Sequence, residues 1–474
     1  MKLVQSTKFW IMSTFICIIG YAVSCTKNDQ VIIPDSGSNS TTLVSVKTAV
    51  APTIDGTIDA IWANATKISF MPTVPDPGNG LFTGYNGEQY PATLRSMYDA
   101  NNIYFLLEVT DATKSVNVSP WYFNPALNVA GVTTGWQKEP SSKTLDINGN
   151  LTRDGFGEDK FAMLWNIDNS TPKFITQTCY ASCHVFTPYL DYTPNPKTQP
   201  MAASPVMNSN SNNGNHYTNG QFEKIDMWWG KLGFITSDPS MNIMDDNYQD
   251  YAGGPTVTNL TGGSANGRHI DGVVVDTAKT YYWPYAPHYT SYSSTIVATP
   301  PAGQMPAMGE VSNSQNLKLD GTGASVAVPI WVKPNVAANF ILPADTLSSG
   351  KAKRVTAVAS TGVLTLSDGT TLDPTVGTAY QRTGDPVYGP TAVNSISAYI
   401  NVPITGGRAD IICAATYTGT GWIIEYKRAL KTSDALKQDV DFSSLQDQPF
   451  GVAFWNKSNN QHGINPNLLL TFKK

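Results

Sequence analysis

Charge is scarce in this chain. Only 14% of its 474 residues are Asp, Glu, Lys or Arg, and the formal net charge is −5. With no basic surplus there is no electrostatic footprint for nucleic acid. Helical periodicity is almost missing; only "RALKTSDALKQDV" (Arg428 to Val440) hints at a short helix. No repeat of solenoid or propeller period is present. Nor is there a hydrolytic triad, a phosphate loop or a dinucleotide fingerprint. Long hydrophobic runs are missing apart from one near the N-terminus. Low charge beside 38 Gly, 31 Pro, 22 Tyr and 11 Trp predicts a β-rich, loop-rich protein.

That one apolar run, Phe9 to Val23, is short for a membrane span and follows Lys2 and Lys8. Small residues in "AVSC" then lead into Cys25. The pattern looks like a bacterial lipoprotein export signal, with Ala22 where Leu is commoner. The expectation is a signal over 1–24, lipidation of Cys25 and a flexible tether over 25–43. The domain, 44–474, is then exported and anchored by lipid to the cell envelope, at the outer membrane.

Cysteine and histidine are rare, five of each. Cys17 leaves with the signal, Cys25 takes the lipid, and Cys413 sits in the apolar run "ADIICAATYTG", where a small buried core residue is expected. Cys179 and Cys183 remain, in "QTCYASCHVF", with His184 next to the second. The signature for covalent haem is C-x-x-C-H, and this one is a residue longer. Positions i and i+4 still share one face of a helical turn, so two thiols and a following imidazole can serve one porphyrin. A Cys179–Cys183 disulfide is allowed outside the cytoplasm. It would close a very short loop and leave His184 idle. Structural zinc wants a fourth ligand. Haem attachment is favoured over disulfide, and disulfide over metal. Candidate second axial ligands are His216, His269, His288 and His462, or Met97, Met163 and Met201. His462 lies in "WNKSNNQHGINP", between two firm strands, which favours it slightly.

Strands are expected in "VSVKTAV", "KFAMLWNI", "DMWWGKLGFI", "FGVAFWNK" and "NLLLTFKK". Hairpins are expected around "DANN", within "KRVTAVASTGVLTLSDGTTL" and at "TYTGTGW". Polar insertions fall near 187–222 and 236–325. The acidic residues of "GEDKFAMLW" and "MDDNYQD" read as solvated turns or, less often, a calcium site, although "MDDNYQDYAGG" lacks calcium-loop spacing. Many short strands with turn punctuation predict an all-β sandwich with one or two short helices.

"TIDGTIDAIWANATKI", "MYDANNIYFLLEVTD", "CYASCH", "KIDMWW", "GWIIEYKRAL" and "FGVAFWNKSNNQHG" occur in this order. Together they resemble the haem-binding domains related to the haem subunit of ethylbenzene dehydrogenase. That family is similar to family 9 carbohydrate-binding modules and DOMON cytochrome domains, so the resemblance implies an immunoglobulin-like β-sandwich from about Val44 onward. Dehydrogenase-type members hold haem b with a Met and a Lys. Their positions fall near "CYASCH" and in the loop of His462. The resemblance therefore implies one covalent haem c, bound by Cys179 and Cys183, with His184 and His462 as axial ligands. Trp228 and Trp229, in a family motif, would be core or pocket wall. Arg428 would pair with a haem propionate, or else be a surface charge at a strand end.

Three functions compete. A lipid-anchored monohaem electron-transfer protein with a redox partner comes first; it is not itself an enzyme. A sugar-binding module without haem would leave "CYASCH" as a disulfide loop. A haem subunit docked to a molybdenum dehydrogenase is the third.

Overall fold

The computed structural model describes residues 41–74, 87–145, 151–172, 174, 223–250, 268–271, 309–334, 340–346, 350–376, 395–434, 437–459 and 461–474. Cys25, Cys179, Cys183 and His184 lie outside them, as do His216, His288 and Met201.

Alternation of apolar and other residues builds ten main strands. They are β1 (Thr42–Lys47), β2 (Ala92–Tyr98), β3 (Asn102–Thr110), β4 (Lys160–Asn166) and β5 (Lys224–Lys231). Then come β6 (Ile243–Asp250), β7 (Ile411–Tyr417), β8 (Gly421–Ala429), β9 (Gln448–Trp455) and β10 (Gly463–Lys473). Their hydrogen-bonded order is β1-β10-β9-β4-β5-β6-β7-β8-β3-β2, and β2 pairs with β1 again. The sheet is a closed ring.

The all-β class expected from composition is what the chain adopts. The plain two-sheet sandwich is corrected, because β1 lies parallel to both β10 and β2 and joins what would be two free edges. Small inward side chains make the seam close: Ser96 Oγ donates to Ser45 Oγ at 2.9 Å, both buried. Closure removes the unpaired rows of N–H and C=O that edge strands present.

The expected hairpins form. β2 and β3 pair around Asp99–Asn101, and Asp99 accepts the N–H groups of Asn101 and Asn102. β7 and β8 turn at Gly419, whose φ of 95° favours glycine. Lys353–Val358 pairs with Leu364–Leu366. At Gly56, φ is 81° and an added Cβ would sit 2.6 Å from Thr416 Oγ1. There Glu425 accepts from Gly56 N–H and from Trp62 Nε1, fixing the "DGTIDAIW" segment to β8.

The ring interior is packed with inward residues such as Phe105, Phe161, Trp165, Trp228, Trp422, Tyr426 and Phe450, all nearly inaccessible. Cys413 is in this core, as expected, with a free thiol. A second cluster, including Trp121, Phe123, Trp136, Val355, Leu364 and Ile396, is built by residues 121–136 and 319–398. The expected helix after Arg428 is absent among the described residues, which leave out 435–436; the α-helical turn they do contain is Leu232–Ile235, directly after β5.

Candidate functional site

Strand β4 has no solvent face. All seven of its residues are buried, although only Phe161, Met163 and Trp165 enter the ring core. The outward set continues onto its neighbours. Leu164, Ile225, Met227 and Ile464 are each at most 6% exposed, and they pack with Phe174, Trp229 and Ala453. Phe174 closes this patch five positions before Cys179 in the sequence.

At one end of the patch the outward residues become aromatic. Trp229 and Trp455 stack at 5.9 Å between centroids, 16° apart in plane. His462 stacks on Trp455 in turn, at 4.3 Å and 22°. The doublet "WW" thus splits across the sheet. Trp228 points inward, with Trp165, Phe105 and Tyr426 around it, while Trp229 points outward toward the loop that carries His462. Trp228 is thus a core residue, and Trp229 packs on the outer face.

A charged network borders the aromatic stack. Lys231 Nζ pairs with Glu310 at 2.7 Å and lies 5.8 Å from the Trp229 ring. Lys160 Nζ bonds Asn459 in the His462 loop. Asp245 receives Arg408 Nη2 at 2.6 Å, and Arg408 is buried. Burial brings the Lys160 amine down to about 8, against the attraction of Glu158 and Glu310. Burial and the Glu310 charge push Glu158 well up, whereas at Glu310 burial is outweighed by Lys231, Glu158 and Lys160 together, which hold it down. One proton shared by the two glutamates satisfies both.

Arg428 is neither on the surface nor on this outer face. It is 1% exposed inside the ring, 4.8 Å above Trp228. Its Nη1 donates to Asp226 Oδ2 at 2.7 Å and lies 3.6 Å from Asp439. The surface-charge reading is corrected for a simple reason: the alternation that buries Trp422, Ile424 and Tyr426 also turns Arg428 inward. Val440 N–H adds a 2.9 Å bond to the same Asp226 oxygen. Despite Arg428, burial lifts Asp226 to about 7.

The other methionine candidates are core residues. Met97 packs with Trp62 and Tyr104, and the Met163 sulfur accepts from Tyr426 Oη at 2.8 Å. His269 is in a short strand paired with β6. Two outer-face residues escaped the sequence reading: Met227, whose sulfur faces Gln249 Nε2 at 3.6 Å, and Lys160. Both sit on strands whose outward positions are unusually apolar, and that was the available signal.

The profile of the ethylbenzene dehydrogenase family matches residues 59–465. The chain belongs to the ethylbenzene dehydrogenase family. That span covers nearly the whole ring, including the Trp229–Trp455–His462 stack and the buried Asp226–Arg428 pair. Two solved structures are also similar to it, both of a family 9 carbohydrate-binding module from Caldicellulosiruptor kristjanssonii. One is in complex with glucose and the other with cellotriose. Each is 8% identical with a TM-score of 0.22, covering 91% of this chain and 94% or 93% of its own. No curated protein matches the chain.

Proposed function

We propose that this member of the ethylbenzene dehydrogenase family is a lipid-anchored, monohaem c-type electron-transfer protein acting outside the cytoplasm. Cys179 and Cys183 would form the thioethers, His184 and His462 the axial pair, and Cys25 the lipid anchor. The observation that carries the reading is the position of His462. It stands on Trp455 beside an apolar patch that already holds Phe174, the described residue closest in sequence to Cys179.

The residues present suit a flat, apolar ring bearing carboxylates. Leu164, Ile225, Met227 and Ile464 offer apolar wall, Trp229 and Trp455 offer aromatic faces, and Lys160 and Lys231 bring positive charge nearby. A haem held there supplies one-electron transfer. The protein's part would be to orient it, exclude water and hold the iron through His184 and His462. Histidine on both sides lowers the potential relative to Met/His ligation. The partner is a redox protein or a subunit of an oxidoreductase complex.

The test is the absorption spectrum and potential of protein exported in a strain with haem-attachment machinery, beside His462→Met. A covalent Soret-bearing species whose potential rises in the variant is expected. A colourless, folded protein overturns the haem; an unchanged variant spectrum removes His462 from the iron.

A further inference from the structure

Inside the ring, four acidic side chains gather around one arginine. Asp226, Asp246 and Asp439 each present an oxygen within 4.8 Å of the others. One Asp226 oxygen is taken by Arg428 and Val440 N–H; the other has no hydrogen-bond partner. Asp246 is fully buried, and neither of its oxygens has a partner.

Asp271 is a separate observation that points the same way. It lies outside the triplet, on the segment that follows the short strand paired with β6, and its N–H reaches Asp246 O at 3.4 Å. It is 5% exposed, and both of its oxygens also lack partners. Asp439 and Asp226 are the carboxylates whose charge acts on it most. Six carboxylate oxygens thus stand buried without a hydrogen bond in one place, counting one from Asp226 and one from Asp439, the latter 3.6 Å from Arg428 Nη1.

Stranding buried carboxylates costs several kcal/mol apiece unless something answers them. Arg428 answers one. The remaining donors are all hard oxygens, with no imidazole or thiolate among the described residues at the cluster. Such a set selects calcium, magnesium or manganese over zinc or copper. Side chains brought from four separate segments suit the irregular, many-oxygen shell of calcium better than the strict octahedron of magnesium.

We propose that Asp226, Asp246, Asp271 and Asp439 bind one divalent cation of the calcium class inside the ring. The ion would tie β5 and β6 to the segment leading into β9. It is separate from the outer face and independent of any haem there.

The experiment uses the purified full chain, stripped with EDTA and titrated with calcium chloride or magnesium chloride alone. Metal content, calcium and iron separately, is read by mass spectrometry, and unfolding by circular dichroism. The wild type is expected to retain one calcium per chain and to melt higher in calcium than in EDTA, with magnesium weaker. Asp246→Asn is expected to bind calcium about a hundredfold more weakly. Should Asp246→Asn fail to fold, Asp271→Asn gives the same reading, and the wild-type titration stands on its own. No retained calcium together with equal melting in EDTA and calcium overturns the proposal: the carboxyls are then simply protonated. Iron content reports on the haem reading in the same sample, so the two can fail separately.

Discussion

Strands β4 to β6 carry buried charge on both sides, and the two sides are composed differently. Outside, Lys160, Lys231 and Arg408 face Glu158, Glu310 and Asp245, three cations to three carboxylates. Inside, Arg428 alone faces Asp226, Asp246, Asp271 and Asp439. The outer network can balance its charge with its own side chains. The inner one cannot. Burial, with Asp226, Asp271 and Asp439 adding to it, drives Asp246 well above the usual carboxylate range. Equal depth therefore does not mean equal energetics. A balanced buried network is scaffolding, while an unbalanced one demands something from outside the chain.

The strongest way to break this comparison is to delete the lone inner cation. Arg428→Met, unfolded by urea in EDTA, is expected to lose about 3–5 kcal/mol, because its partners stay buried and unpaired. Unchanged stability would mean that the inner acids were already neutral. Next, deleting one acid on each side should give opposite signs. Glu310→Gln strands Lys231 and is expected to cost about 1–3 kcal/mol. Asp246→Asn relieves repulsion and, without metal, is expected to gain about 1 kcal/mol. Both losing stability would erase the distinction.

Lys160 sharpens the outer half through pH. Its amine is held near 8 in the fold against 10.5 ordinarily. The unfolded chain thus binds that proton more tightly, so stability rises with pH between those values. Urea unfolding at about pH 7.5 and about pH 9.5 should show this gain in the wild type and not in Lys160→Met. A gain of equal size in both would assign the slope elsewhere. The smallest effect is expected at the aromatic edge: Trp455→Phe should cost about 1 kcal/mol from weakened stacking. It should also shift the absorption of any haem ligated by His462, and an unmoved spectrum would separate that stack from the cofactor.

Local features were legible in the sequence because local chemistry makes them. "DANN" and "TGTG" turn where Asp99 and Gly419 require it. The family order of motifs was legible as well. The closed ring was not, since β1 pairs in parallel with distant strands and no turn residue announces it. The apparent helix after Arg428 failed because Arg428 is fixed to Asp226 and to Val440, which holds the segment against the ring. "MDDNYQD" looked solvated, yet its Asp246 is fully buried; its companion Asp226 is on the preceding strand, but Asp439 is far away in sequence. His462 was legible as the candidate on a rigid loop, though not its seat on Trp455. Cys179, Cys183 and His184 lie outside the described residues.

The seam at β1 also bears on how the chain folds. Residues 42–46 pair with residues 469–473, so the first strand made waits for the last. Until β10 arrives, β1 and β9 are both open to strangers, and contacts so far apart in sequence form slowly. A chain cut short before residue 463 would leave two adhesive borders on a half-built cylinder. The finished ring has no such borders, and its period of vulnerability is the time before its final residues arrive.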